Sequence, residues 1–124
     1  MKKFLLFLSV ITLLSSFTFI SFTEVINAIK SGNATEVARY FDNTVEISLP
    51  EKSNSYSKSQ ALLILNAFFK SNDVKNFEVI HQSENARSQY CIGNLITSHG
   101  VFRTTIYMKQ KGNKELVQEL RFEK

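Results

Sequence analysis

Apolar and polar residues alternate most regularly in the last third of the chain, from Tyr90 to Glu123. A period of two residues is typical of β-strands that bury one face. The alternation is interrupted at His99-Gly100 and again at Gly112-Asn113. Two-residue segments that contain a glycine are typical of hairpin turns. The pattern predicts three consecutive antiparallel strands, and we expect the preceding chain to fold onto one face of their sheet.

The same period assigns the side chains of the last two strands to opposite faces. In the second of the three strands, one face carries Phe102, Thr104, Ile106 and Met108, and the other carries Val101, Arg103, Thr105 and Tyr107. In the third strand, one predicted face carries Leu116, Gln118, Leu120 and Phe122. The opposite face carries Val117, Glu119, Arg121 and Glu123. We expect the face with Phe102 to close the core and the face with Arg103 to lie outside.

Helical spacing and capping residues organise the region between residues 24 and 43. Apolar residues predict a short helix from Glu24 to Ser31, which Gly32 ends. A second helix is predicted to begin at a capping box at Asn33 and to run to about Phe41. Asp42-Asn43 is expected to break that helix and to lead into a strand.

A strand, a loop, a helix and another strand are predicted in turn downstream. Alternation predicts a strand from Thr44 to Leu49, and the polar run from Glu51 to Ser57 indicates a loop. The helix from Lys58 to Lys70 is apolar nearly all round, so we expect it to be buried. A further strand is predicted from Asn76 to Ser83.

The N-terminal segment, residues 1–23, differs from the rest of the chain. The pair Lys2-Lys3 precedes an uncharged run from Phe4 to Phe22, which is the layout of a secretory signal peptide. Small residues favour cleavage after Thr18, with Ser21 as the second choice. The alternative is an uncleaved helix that anchors the protein, because a run of this length can span a bilayer. We therefore expect an exported protein, periplasmic or secreted.

Residues 24–124 have the length of one domain, and their charges are nearly balanced. Without Lys2 and Lys3, the 15 basic residues fall to 13 against 11 acidic ones, and the basic residues are not clustered. Nucleic-acid binding is therefore not expected. Cys91 is the only cysteine, so an intramolecular disulfide is excluded and a buried thiol is expected. The isolated histidines give no metal-binding pattern, and no cofactor is expected.

The predicted order of elements is typical of an α+β fold with helices on one sheet face. The stretches from Ala28 to Asn33 and from Tyr40 to Glu46 resemble the helix-glycine-helix-strand opening of ketosteroid isomerases and polyketide cyclases. These enzymes belong to the nuclear-transport-factor-2-like superfamily, also described as cystatin-like with a cone-shaped barrel. The resemblance implies a strongly curved antiparallel sheet with three helices packed on its concave face, preceded by the signal segment.

Residues 24–123 resemble more closely a family of small exported bacterial proteins of unknown function with this fold. The matching motifs are Tyr56-Ser57-Lys58, Phe68-Phe69, Gly100-Val101-Phe102-Arg103 and Leu120-Arg121-Phe122. The isomerases place a general-base aspartate and an oxyanion-donating tyrosine at positions that Ile47 and Val25 occupy in this chain. Neither side chain can transfer a proton or donate a hydrogen bond, so isomerase chemistry is not expected.

A modest apolar cavity is expected between the helix Lys58–Lys70 and the sheet. Its candidate lining residues are Tyr40, Leu65, Phe68, His81, Phe102 and Thr104. The favoured function is a non-enzymatic module that binds a small apolar ligand or a protein partner. The alternative is a small lyase, isomerase or hydrolase with His81, on the same strand face as Phe77 and Val79, as its acid or base.

The opposite sheet face is the candidate interface for a homodimer. Its candidate contact residues are Tyr90, Ile92, Arg103, Thr105, Tyr107 and Arg121. Arg and Tyr are enriched at protein interfaces, and the resemblance implies dimerisation through the outer sheet face. The alternative for Arg103 is an ion pair across the strands with Glu119 or Glu123. Membrane contact is expected only if the N-terminal segment stays uncleaved.

Overall fold

A computed structural model describes residues 20–124. Residues 1–19, which include most of the predicted signal segment and the cleavage position at Thr18, lie outside the described part. The described chain follows the order α1 (Ile20–Lys30), α2 (Ala34–Ala38), β1 (Phe41–Ser48), β2 (Ser53–Ser57), α3 (Lys58–Ser71), β3 (Val74–Glu84), β4 (Ser88–Thr97), β5 (Gly100–Lys111) and β6 (Lys114–Glu123).

One mixed sheet contains the six strands of the described chain, in the order β2-β1-β6-β5-β4-β3. Neighbouring strands are antiparallel except β1 and β6, which pair in parallel. The prediction of an antiparallel sheet is therefore wrong at this junction. The junction brings the first strand of the chain beside the last, and no short-range pattern in a sequence reveals such a contact. β2 and β3 form the open edges of the sheet.

Helix α3 supplies much of the core on one side of the sheet, which we call the inner face. Its residues Ala61, Leu65, Phe68 and Phe69 are buried. The ring centroid of Phe68 lies 4.6 Å from that of Phe122 and 5.2 Å from that of Phe102. Burial of each such aromatic side chain contributes roughly 1.5–3 kcal/mol. The prediction that this helix is buried holds for one side only, because Leu63 on the other side is 67% exposed.

The two N-terminal helices differ from their predicted bounds. The described part of helix α1 already includes Ile20, upstream of the predicted start at Glu24, and Phe22 and Val25 are fully buried in the core. Helix α2 is shorter than predicted and ends at Ala38, so the chain enters β1 at Phe41. Its predicted N-cap is confirmed, because the side chain of Asn33 accepts a hydrogen bond from the backbone N–H of Glu36 at 3.1 Å.

The segment predicted as a loop before α3 is in fact strand β2, which forms a hairpin with β1. In β2 only Tyr56 is partly buried, so the strand has no apolar alternation by which it could be recognised. The capping box that opens α3 is confirmed. The hydroxyl of Ser57 accepts from the backbone N–H of Gln60 at 3.3 Å, and the Gln60 side chain accepts from the backbone N–H of Ser57 at 3.4 Å.

A β-bulge at Gln118 changes which residues at the start of β6 face inward. The register between β5 and β6 shifts by one residue at this point. An extra residue in a strand reverses which side chains face inward before it, relative to those that follow it. Val117 is therefore buried and Leu116 is only partly buried, the reverse of the prediction. Leu120 and Phe122, which follow the bulge, are buried as predicted.

A second bulge in β3 lies between Val79 and His81. Before it, Phe77 is buried on the inner face. After it, His81 pairs with Ile92, whose side chain belongs to the half-buried set of β4 on the outer face. The prediction that His81 shares a face with Phe77 is therefore wrong, because the extra residue of the bulge reverses which side chains of β3 face inward after Val79.

Candidate functional site

A pocket of about 550 Å³ opens at one end of the sheet, between the second half of α3 and the β1–β2 and β4–β5 turns. We call it the α3 pocket. Its apolar walls are formed by Leu49, Pro50, Ile64, Ala67, Phe68 and Phe102. Its mouth carries Glu51, Lys52, His99 and Lys124. Concave sites of 300–1,000 Å³ with mostly apolar walls and a few polar groups are typical of small-molecule binding.

Two phenylalanines from different elements form the floor of the α3 pocket. Phe68 comes from α3 and Phe102 from β5, and their rings meet edge to face with an interplanar angle of 75°. The amphipathic period of α3 and the alternation of β5 direct both side chains inward. Ala67, on the neighbouring position of α3, is exposed and leaves the mouth open above this floor.

One cation is fixed at the mouth. The ammonium of Lys124 lies 5.2 Å from the centroid of the Phe102 ring and donates a hydrogen bond to the backbone carbonyl of His99 at 3.0 Å. A cation over an aromatic face is attracted by the ring quadrupole. The arrangement holds a positive charge beside an apolar surface.

The predicted cavity residues do not all meet in one pocket. Phe68 and Phe102 line the α3 pocket, whereas Tyr40 lines a separate depression at the opposite end of the sheet. Leu65 and Thr104 are fully buried in the core and have no surface in a cavity. The division arises because the core closes between the two ends of the sheet.

His81 lies outside the core rather than in a cavity. Its side chain is exposed on the outer face, where its ring stands 5.8 Å from that of Tyr90 in an edge-to-face arrangement. The predicted acid or base needed a solvent-connected pocket and a second polar group beside it. The bulge in β3 therefore removes the structural basis for a catalytic His81.

The two positions that carry chemistry in the isomerases are core positions in this chain. Ile47 is 1% exposed and Val25 is fully buried. Cys91 is also fully buried, and burial raises the pKa of its thiol to about 11, as expected for an inert core cysteine.

Asp42 is a polar anchor that the sequence did not identify. Its carboxylate lies 2.5 Å from the ammonium of Lys111 and accepts from the Gln118 side chain at 2.9 Å and from the backbone N–H of Asn43 at 2.7 Å. The hydrogen bonds with Lys111 and Gln118 lower the pKa of Asp42 to about 2. The group joins β1 to β5 and to the bulge of β6.

Beside Asp42 lies the second depression, of about 410 Å³, to which Tyr40, Lys58, Lys114 and Glu115 contribute. Glu115 is 5% exposed, and its Oε2 atom is buried without a hydrogen-bond partner. Burial, with a smaller contribution from Glu84, raises the pKa of Glu115 above its ordinary value. The buried Oε1 of Gln89 also has no partner. Such groups cost stability, so this end of the sheet is not optimised for packing.

The six candidate interface residues lie together on the outer face of the central strands. Tyr90 is directly opposite Tyr107, Ile92 is opposite Thr105, and Thr105 is opposite Arg121. These contacts give a continuous patch across β4, β5 and β6. Val117 does not belong to it, because the β6 bulge places it in the core.

Arg103 does not take up either predicted ion pair. It lies opposite Glu123 in the strand register, yet the ion pairs of Glu119 and Glu123 are both with Arg121, at 3.4 and 3.9 Å. Among residues 20–124, Arg103 has no ion-pair partner, and its side chain is exposed.

The element order and the mixed six-stranded sheet, with α3 packed on its inner face, define an α+β fold of the nuclear-transport-factor-2-like class. A protein of unknown function from Cytophaga hutchinsonii described as NTF2-like has a similar structure, with a TM-score of 0.61 and 10% sequence identity over 85% of this chain and 87% of that one. At this identity the likeness concerns the fold alone.

The chain belongs to the family described as domain of unknown function DUF4783, whose model matches residues 22–123. A DUF4783 family protein from Bacteroides fragilis is 35% identical, with a TM-score of 0.77, over 82% of this chain and 95% of that one. A second, from Bacteroides ovatus, is 32% identical, with a TM-score of 0.78, over 82% and 92%. The predicted resemblance to a bacterial family of unknown function is therefore confirmed, and so is the predicted nuclear-transport-factor-2-like fold.

A comparison with functionally curated proteins gives no match to this chain. Within residues 20–124, no helix is both long and apolar enough to cross a membrane.

Proposed function

We propose that the protein is a non-enzymatic module that binds a small molecule with an apolar body in the α3 pocket. The observation that carries this proposal is the concave apolar surface of the pocket, to which the partly exposed Leu49, Ile64 and Ala67 contribute above the two buried rings. A ligand that covers the exposed part of these apolar walls removes it from water, and this removal favours binding. No observation favours a reaction at this site.

Fluorescence titration with phenylnaphthylamine, a neutral apolar probe that brightens on leaving water, tests the proposal. Ala67→Trp places a large side chain in the pocket from an exposed helical position, so it should weaken binding about tenfold or more. Leu63→Trp is the matched control, since Leu63 lies on the same helix, is 67% exposed and does not line the pocket. Equal binding by both variants, or none by the unmodified protein, would contradict the proposal.

The protein also acts, in this proposal, as a homodimer joined through the outer sheet face. Support comes from the continuous patch around Tyr90, Ile92 and Tyr107 and from the exposed Arg103 at one end of it, which has no ion-pair partner among residues 20–124. Aromatic residues and arginine are the types that contribute most at interfaces.

Export from the cytoplasm completes the proposal. The charged start and the uncharged run that follows support a signal peptide. Cleavage after either Thr18 or Ser21 would retain Phe22, which is fully buried in the core. Mass spectrometry of the protein expressed with its N-terminal segment should find a chain that starts at Phe19 or Phe22, whereas a retained Met1 in the membrane fraction would support the anchor instead.

A further inference from the structure

We infer that the ligand of the α3 pocket carries an acidic group, which Lys124 binds at the mouth while the apolar body rests against the apolar walls. The inference rests on the proposed binding function and names the chemical class of the ligand. It starts from the position of the Lys124 ammonium, which is held by the carbonyl of His99 and by the ring of Phe102. Both partners orient the ammonium, and neither neutralises its charge.

The remaining charges at the mouth leave a positive balance. Lys52 and Glu51 both lie on the β1–β2 turn and line the pocket beside Lys124. Among residues 20–124, the ion pairs involve other cations, namely Arg39, Lys75, Lys111 and Arg121. Neither Lys124 nor Lys52 takes part in these ion pairs, and Glu51 is the one acidic side chain among the residues that line the pocket.

An apolar ligand without a charge would leave this ammonium unpaired beside the surface that it covers. A ligand seated against the apolar walls removes water from around Lys124, which makes an uncompensated charge less favourable. A carboxylate, sulfonate or similar anion on the ligand would compensate it and add a charge-assisted hydrogen bond. The pocket therefore fits an amphipathic acid better than a neutral hydrocarbon.

Two dyes with the same aromatic skeleton give a direct test. Anilinonaphthalene sulfonate carries one sulfonate that phenylnaphthylamine lacks. The unmodified protein should bind the sulfonate about three- to fivefold more tightly, as expected for an ion pair near the surface. This ratio should fall towards one in Lys124→Gln and should fall with added salt. Lys70→Gln, an exposed lysine of α3 that does not line the pocket, should keep the ratio.

The outcomes separate the two proposals. If both dyes bind equally to the unmodified protein, or if Lys124→Gln keeps the ratio, the ligand class is wrong and the pocket remains a binding site. If neither dye binds, or if Ala67→Trp leaves both affinities unchanged, the proposed binding function itself is wrong.

Discussion

At the scale of single residues, the carboxylate of Asp42 holds three strands together through its contacts with Lys111 on β5 and Gln118 on β6. Because the pKa of Asp42 is lowered to about 2, its charged form stabilises the folded protein above the ordinary value of 3.8. That contribution is lost as the pH falls from 3.8 through 2.

Asp42→Asn should therefore lower the free energy of unfolding by about 1–2 kcal/mol at pH 7, a figure reduced to allow for the exposure of Lys111. The difference from the unmodified protein should shrink towards zero as the pH approaches 2. Urea unfolding at a series of pH values measures it. Asp73→Asn is the control, because Asp73 pairs with Lys75 at an exposed site and should change stability little. A pH-independent loss in Asp42→Asn would contradict this account.

Glu115 should behave in the opposite way. Its raised pKa means that the fold favours the neutral carboxyl, so stability falls as the pH rises above the ordinary value of 4.5. Glu115→Met keeps the side-chain length and removes the unpaired oxygen, so it should stabilise the protein by on the order of 1 kcal/mol at pH 7. The gain should be smaller at pH 4 in the same unfolding assay. A loss of stability at neutral pH would show that Glu115 has a partner that it needs.

Sequence patterns could not identify Asp42 because they are local. The pair Asp42-Asn43 resembles a helix stop, and its real role depends on a side chain 76 residues away. Local patterns were sufficient for the caps at Asn33 and Ser57, since each cap involves residues three apart.

At the scale of elements, the glycine in β4 allows the edge strand β3 to pack closely. A Cβ atom at Gly93 would lie 2.5 Å from the ring of Phe77 and 2.6 Å from the backbone carbonyl of Glu78. Contact with a backbone atom cannot be relieved by moving a side chain. Gly93, which lies opposite Val79 beside the β3 bulge, therefore allows the backbone of β3 to approach β4 closely at this point.

Gly93→Ala should destabilise the protein by about 1–3 kcal/mol, the usual cost of forcing extra atoms into a packed region. Gly112→Asn is the control, because a Cβ there meets open space and asparagine tolerates the φ of 61°. Thermal unfolding measures the melting temperatures of both variants, and that of Gly93→Ala should be the lower. Equal melting temperatures would mean that β3 moves freely away from β4.

The alternation of apolar residues predicted strands β4 to β6 and the inner face of β5 correctly. It failed for β6 before Gln118 and for β3 after Val79, because a bulge shifts the alternation by one residue without a clear sequence mark. Strand β2 was missed for a different reason, since its side chains are polar and mostly exposed. The errors concern pairing and register, which are set by distant contacts.

At the scale of the whole molecule, the two faces of the sheet have different proposed roles. The ligand binds between α3 and the inner face, and the second subunit binds the outer face.

Light scattering coupled to size-exclusion chromatography tests the proposed dimer. The unmodified protein should elute as a dimer, and Arg103→Glu should weaken the dimer by placing a new negative charge within the patch. Arg39→Glu, an equal charge reversal at an exposed site next to α2, should remain dimeric. A monomer at high protein concentration would disprove this part.

The proposed binding site of this protein is the α3 pocket. The most direct test of this proposal is a map of backbone amide chemical shifts by nuclear magnetic resonance during titration with phenylnaphthylamine. Binding in the pocket should produce saturable shifts concentrated around Leu49, Ile64, Phe68 and Phe102. Shifts centred on the outer face around Ile92 and Tyr107, or no saturable shifts, would contradict it.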